Sequence, residues 1–249
     1  MISFVALGGN SRLAKCFSDL FPDISVNVDK SLCDITNKKD IEKVFKKTNA
    51  KYILNCAAIT DIEYCEKNPK ETFDVNTIAP LIIEKLCEKY NKKLIQISSD
   101  YAYFPTNVYG ISKYLIEKLL NPKKTLIVRT SFYYKDLYLI KGLFKNQSVS
   151  AYKNMYFNPI SINRAAKEIY KNRNKKGVIN IFSSKKISKY HFAMKVCKVF
   201  DTDKKLVKPV SFVNKVGFAL RPPDSSIDSN IAINLDKDLF QFKKYIKIR

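Results

Sequence analysis

A chain of 249 residues with 46% hydrophobic side chains suits one large domain, or a core with a small appendage. No apolar run approaches the ~20 residues of a membrane span, so no membrane partner is expected. Six scattered cysteines without a CxxC pair, and a single histidine, leave no zinc set and read as reduced thiols of a cytoplasmic protein. The formal charge of +22 raises the question of nucleic acid. However, the lysines are spread along the chain, and arginine, the better bidentate reader of phosphate and guanine, is scarce. The charge is therefore expected to dress a solvated surface, with no nucleic-acid partner.

The chain opens on an apolar run, 2–7, that lacks the basic region of a signal peptide. It runs into Gly8-Gly9 and reads as a first strand meeting a turn. Strand-like runs follow at 24–28, 52–55, 94–98 and 125–129, and amphipathic stretches lie between them at 12–21, 39–48, 71–90 and 109–120. In the stretch 71–90, Ile78, Leu81, Ile82 and Leu86 keep a three-to-four spacing. Thr36 or Asn37 is the N-cap of the second helix. Apolar strands alternating with helices predict an α/β fold with a Rossmann-type, doubly wound parallel sheet. After Arg129 the pattern loosens, with helices expected at 162–172 and 188–200 and a strand at 177–182. Residues 1–131 are expected to form the dinucleotide-binding core. Residues 132–249 form mainly a small substrate-binding region, with about 155–182 returning to the core.

Gly8-Gly9-Asn10-Ser11-Arg12-Leu13-Ala14 stands where a dinucleotide fingerprint belongs. Gly8 supplies the tight turn, Ala14 the small residue where helix meets strand, and the helix-start amides face a pyrophosphate. Ser11 takes the middle glycine position, where its Cβ crowds the phosphate. Asp29 ends the second strand at the spacing of a ribose-binding acid, while Lys30 or Arg12 suits a 2′-phosphate, so NAD and NADP both remain open. Asp34 and Ile35 are expected along the adenine. Tyr109 and Lys113 are four apart on one helix and share a face. An ammonium there favours phenolate and lowers a phenol pKa of ~10 toward useful acid chemistry. Ser99 ends the preceding apolar strand and completes a hydroxyl, acid and cation for carbonyl reduction.

With those residues in hand, the chain resembles the extended short-chain dehydrogenase/reductases, in particular the dTDP-4-dehydrorhamnose reductase group. The resemblance runs in order through Gly8, Cys33-Asp34-Ile35-Thr36, Asn55-Cys56-Ala57-Ala58-Ile59-Thr60 and Val75-Asn76. It continues through Ser98-Ser99-Asp100-Tyr101, Asn107-Val108-Tyr109-Gly110-Ile111-Ser112-Lys113, Arg129-Thr130-Ser131, Asn158-Pro159 and Arg221-Pro222-Pro223-Asp224-Ser225. It implies Ser99, Tyr109 and Lys113 as catalytic residues. It implies Ala57, Ala58, Thr60 and Asn76 beside an NADP or NAD cofactor, and Ser99, Asp100, Tyr101 and Arg221 at the substrate. The implied reaction is reduction of the C4 ketone of a nucleotide-linked 6-deoxy sugar in activated-sugar biosynthesis; a homodimer is the expected assembly, and no residue is assigned to a metal. A dinucleotide-binding regulatory subunit, and a nucleotide-sugar epimerase or dehydratase, are the alternatives.

Overall fold

The computed structural model describes residues 2–247. They divide into two compact units, Met1–Arg129 with Ala166–Ile179, and Thr130–Ala165 with Asn180–Arg249.

The first unit is built on six strands: β1 (Phe4–Leu7), β2 (Ser25–Val28), β3 (Tyr52–Asn55), β4 (Lys93–Ser99), β5 (Leu126–Thr130) and, later in the chain, β10 (Gly177–Ile181). Their order is β10-β5-β4-β3-β1-β2. β1 pairs in parallel with both β2 and β3, with Leu7 level with Val28 on one side and Asn55 on the other. All four residues of β1 and of β3 are buried, which explains why they read as unbroken apolar runs. The helices are α1 (Arg12–Leu20), α2 (Lys38–Lys46), α3 (Ile62–Lys67), α4 (Pro69–Phe73), α5 (Ala79–Lys89) and α6 (Val108–Leu119). This is the Rossmann-like α/β fold. The strand order reverses at β1, so the crevice at the carboxyl ends of β1 and β3 is the topological switch point where open sheets bind ligands.

Two local features differ from the sequence reading. Ser11 is the N-cap of α1, its Oγ accepting from Ala14 N at 3.2 Å. It therefore acts as a cap and not only as bulk in the phosphate approach. The single helix expected over 71–90 is α4, a π turn at Asp74–Ile78 and α5. Pro80 in the first turn of α5 has no N–H to give, and Ala79 N–H reaches back five residues to Asp74 O. Between Thr36 and Asn37, Asn37 is the cap of α2.

The second unit contains α7 (Tyr138–Phe144), α9 (Lys189–Phe200) and α10 (Leu235–Lys247), with α8 (Ile162–Asn172) beginning there and continuing into the first unit. Its strands are short: β6 (Phe132–Tyr133) with β9 (Ile160–Ser161), β7 (Val149–Tyr152) with β12 (Val207–Val210), and β8 (Tyr156–Phe157) with β11 (Ile187–Ser188). The buried carboxylate of Asp238 fastens α10: it accepts from Tyr133 Oη at 2.9 Å and from Ser161 N and Oγ at 2.7 and 2.6 Å. Among the described residues, no helix is long and apolar enough to cross a membrane.

Candidate active site

A cleft of about 350 Å³ opens at the switch point of the first unit. Its floor is the turn after β1. Gly8 has φ +73, and a Cβ there would lie 2.6 Å from the backbone N and Cα of Ala57. Only glycine satisfies both that φ and that approach. The facing loop after β3 is held from two sides. Asn55 Oδ1 accepts from Ala57 N at 3.2 Å, while its Nδ2 donates to Gln96 at 2.8 Å. Asn76, in the π turn, accepts from Ile59 N at 2.8 Å and donates to Ile59 O at 2.9 Å and to Ser112 Oγ at 3.1 Å.

Of the residues expected at the cofactor, Gly8, Asn10, Ser11 and Lys30 line this cleft, as do Asp34, Ile35, Ala57 and Ala58. The exposed Arg12 and Thr60 lie outside the lining, and Leu13 is buried on the core side of α1. Asn76 is fully buried with its amide committed to Ile59 and Ser112, so it holds the loop from behind. Asp29 stands at the end of β2. Its carboxylate takes Ser31 Oγ at 2.6 Å, Ser31 N at 3.0 Å and Asn10 Nδ2 at 3.2 Å. Those hydrogen bonds, that from the Ser31 hydroxyl foremost, pull its pKa down. Asp34 is held down likewise by the Thr36 hydroxyl and amide. Cys33, Cys56, Ile59, Glu71 and Val75 complete the lining, and the sequence reading did not assign them. For Cys33, Cys56, Ile59 and Val75 the signal was available in the motifs 33–36, 55–60 and 75–76, whereas Glu71 comes from α4 beside them. Burial pushes the Cys56 thiol up to about 12, so this cleft-lining thiol stays protonated.

The catalytic candidates meet where β4 runs into α6. Ser99 ends β4, and its Oγ donates to Asp100 Oδ1 at 2.8 Å and accepts from Tyr101 N at 3.2 Å. Asn107 caps α6 by accepting from Gly110 N at 2.8 Å. A Cβ on Gly110 would sit 2.9 Å from the carbonyl of Tyr101. That absent side chain lets the start of α6 close on the end of β4 and brings Tyr109 into hydrogen-bonding range of Ser99. Tyr101 meets the Tyr109 ring edge-on at 5.9 Å. One turn on, Lys113 is 2% exposed, with Nζ 6.0 Å from the Tyr109 ring centre and donating to Ile97 O at 3.3 Å.

The electrostatics revise one expectation. The Lys113 ammonium was expected to depress the Tyr109 phenol. Instead, burial raises the phenol pKa well above 10, the Asp100 carboxylate adds to the rise, and only the Ser99 hydrogen bond opposes it. Lys113 does not win because it is itself desolvated and points its ammonium at Ile97 O. Burial brings Lys113 down to about 8 against weaker upward pulls from Cys65, Glu117 and Cys56. Tyr109 is thus firmly protonated, the state a proton donor needs, and Lys113 is a cation held at a cost. Behind it, Glu117 takes a bidentate bond from Arg129 and a 2.5 Å bond from Ser98, tying α6 to β5 and β4.

Arg221 belongs to the second unit. Its backbone is clamped by Asn214, which accepts from Arg221 N at 2.9 Å and donates to Arg221 O at 3.2 Å.

Residues 4–247 match the family model described as the RmlD substrate binding domain. The chain belongs to that family. Among characterised relatives, this RmlD-family chain is 25% identical over 229 residues to a probable low-salt glycan biosynthesis reductase of Haloferax volcanii, covering 80% of this chain and 76% of the relative. It is 29% identical over 122 residues to a dTDP-4-dehydrorhamnose reductase of Mycolicibacterium smegmatis, a stretch that spans 42% of this chain and only 37% of that protein. Among solved structures, a dTDP-4-dehydrorhamnose reductase of Bacillus anthracis in complex with NADP superposes with a TM-score of 0.87 at 24% identity, over 98% of this chain and 99% of that one. At that identity the likeness speaks for the fold.

Proposed function

We propose that this protein is an NADP- or NAD-dependent reductase of a nucleotide-linked 4-keto-6-deoxy sugar, acting in activated-sugar biosynthesis. The observation that carries the reading is the meeting of Ser99, Tyr109 and Lys113 at the carboxyl end of β4, on the same sheet edge as a cleft at the strand-order reversal. The family match and the reductase relatives support a nucleotide-sugar substrate.

The cleft suits a dinucleotide. Its walls at Gly8, Ala57 and Ala58 carry at most a methyl group, the amides of the first turn of α1 lie beside them, and Ile35 and Val75 offer apolar sides to a base. The Asp29 carboxylate, held by the Asn10 amide, is an acceptor suited to ribose hydroxyls, while Lys30 and Arg12 suit a 2′-phosphate. The bound dinucleotide supplies the hydride. Tyr109 gives its phenolic proton to the substrate oxygen as that oxygen gains negative charge, and the Ser99 hydroxyl hydrogen-bonds the same oxygen. Lys113 holds the cofactor ribose through its ammonium. Asp100 and Tyr101 shape the floor under the sugar, and Arg221 pairs with the nucleotide pyrophosphate in the bidentate manner of a guanidinium. The reading includes a cytoplasmic homodimer, its location supported by six cysteines that form no disulfide among the described residues.

The test is NAD(P)H consumption by the full chain with a panel of nucleotide-linked 4-keto-6-deoxy sugars, alongside calorimetric titration of NADH and NADPH. Turnover of a panel member is expected. Failure to bind either cofactor would overturn the reading in favour of a protein without reductase chemistry. Cofactor binding with reversible C4 inversion and no net cofactor consumption would make it an epimerase.

A further inference from the structure

The lysines that are scattered along the sequence meet in space. Parallel strands start at one edge of a sheet, and lysine stands at the start of four neighbouring strands: Lys51 before β3, Lys92-Lys93 at β4, Lys123-Lys124 before β5 and Lys175-Lys176 before β10. Backbone bonds fix these starts side by side, from Lys93 N to Lys51 O at 2.8 Å and from Gly177 N to Thr125 O at 2.9 Å. The order β10-β5-β4-β3 makes them one row. With strands about 4.8 Å apart, the row is roughly 15 Å long. Lys46 and Lys47, at the end of α2, extend it, and between the ends of α2 and α5 lies a cavity of about 590 Å³ lined by Lys46, Lys51, Lys92 and Lys93.

Part of this charge serves the fold. Lys92 Nζ donates to the carbonyls of Thr48 and Ala50 at 2.8 and 2.9 Å and closes the end of α2. Lys124 pairs with Glu88 at 3.0 Å. Glu84 is turned inward to Asn121 N and Thr125 Oγ1. Lys47, Lys51, Lys123, Lys175 and Lys176 are exposed and have no acidic partner among the described residues. Like charges gathered this closely repel one another, and none of these five has an ion pair among the described residues.

We propose that this edge of the sheet docks the protein on an anionic lipid bilayer. A row of compact ammonium groups along one sheet edge suits the phosphates of a lipid surface. The guanidinium beside it, Arg173, is turned back on Tyr170, donating to the Tyr170 carbonyl at 2.8 Å and lying 4.1 Å from its ring centre, so it is committed within the fold rather than presented as a fork for nucleic acid. The edge also lacks the open stacking platform of a single-strand binder, because Phe45 and Tyr52 are buried, Tyr90 packs against the core, and the Tyr170 ring is taken up by Phe21 and Arg173. The dinucleotide cleft lies at the opposite, carboxyl ends of the strands, so docking leaves it open. The charge that the sequence reading assigned to a solvated surface thus has a direction, and the bilayer is a partner that reading did not expect, because it weighed only membrane-spanning segments. This inference stands whether or not the reductase reading does.

The experiment is co-sedimentation of the full chain at low salt with phosphatidylcholine vesicles, with and without phosphatidylglycerol. One variant carries Lys51→Glu, Lys123→Glu, Lys175→Glu and Lys176→Glu. A second lowers the net charge equally on the other unit, through Lys204→Glu, Lys205→Glu, Lys208→Glu and Lys215→Glu. Circular dichroism checks that both fold, and if the first does not, its two double variants are measured separately. Wild type is expected to bind acidic vesicles only, and to release them as salt shortens the screening length. At about fivefold per lysine near the surface, the first variant loses at least about a hundredfold in affinity, and the second stays within about tenfold of wild type. Equal losses in both variants, or no binding by wild type, would overturn the proposal. So would an oligonucleotide that displaces the vesicles and depends on the same four lysines, which would assign the edge to nucleic acid.

Discussion

Lys113→Met isolates what the buried ammonium does to the fold and to the site. Burial lowers the lysine from 10.5 to about 8, and with only 2% of the residue exposed solvent screening takes little from that penalty. At 1.36 kcal/mol per pKa unit this is roughly 3 kcal/mol. Below pH 8 the lysine is charged in both the folded and the unfolded chain, and the folded chain bears the whole penalty. Between about 8 and 10.5 the unfolded chain holds the proton and the folded chain does not, so wild-type stability rises with pH. Methionine carries no charge and fills similar space, at the loss of one hydrogen bond to Ile97 worth about 1 kcal/mol. The variant is therefore expected to be about 2 kcal/mol more stable than wild type at pH 7, and to lose that advantage by pH 10.5. Urea denaturation of both proteins at the two pH values measures the difference, and titrations common to both chains cancel. The same variant is expected to bind NADPH and NADH more weakly, because the group that costs stability is the one proposed to hold the ribose. A variant less stable than wild type at pH 7, or one whose gain is the same at both pH values, would show that the Lys113 ammonium is not held at a cost to the fold.

Gly8→Ala places a methyl group 2.6 Å from the Ala57 backbone in a left-handed conformation. It is expected to lower stability by at least about 1–3 kcal/mol in thermal melts and to abolish cofactor binding. Asn76→Ala removes three bonds to Ile59 and Ser112 and is expected to cost about 2 kcal/mol of stability. It should weaken cofactor affinity through the loosened loop, whereas a direct contact would be lost without the stability change. Arg221→Ala is expected to weaken nucleotide-sugar affinity by about 1.5–3 kcal/mol in calorimetry and to leave dinucleotide affinity unchanged. Equal losses of both ligands would point to misfolding.

The fold of the first unit was legible because its signal is periodic. β1 and β3 are buried on both faces and read as apolar runs, while α2 and α6 carry Asn37 and Asn107 as caps. The π turn was not legible, because helical spacing continues through residues 74–78 and only Pro80 marks the break. In the second unit, β6, β8, β9 and β11 are two residues each, too short for any alternation to show. At the site, spacing was enough to put Tyr109 and Lys113 on one face of α6. Their titration was not readable, since it depends on a burial that only the packing of α6 against β4 creates. Nor was the committed amide of Asn76 readable, or the gathering of lysines, because strands distant in sequence start side by side only in the parallel sheet.

Tyr109→Phe keeps the ring and removes the acid that is proposed to deliver the proton in carbonyl reduction. General acid catalysis contributes about 10²–10⁴-fold. With a 4-keto sugar nucleotide that wild type reduces, the variant is expected to lose about that factor in kcat while its dissociation constant for NADPH stays nearly the same. A variant that oxidises NADPH at the wild-type rate with that substrate would contradict the account.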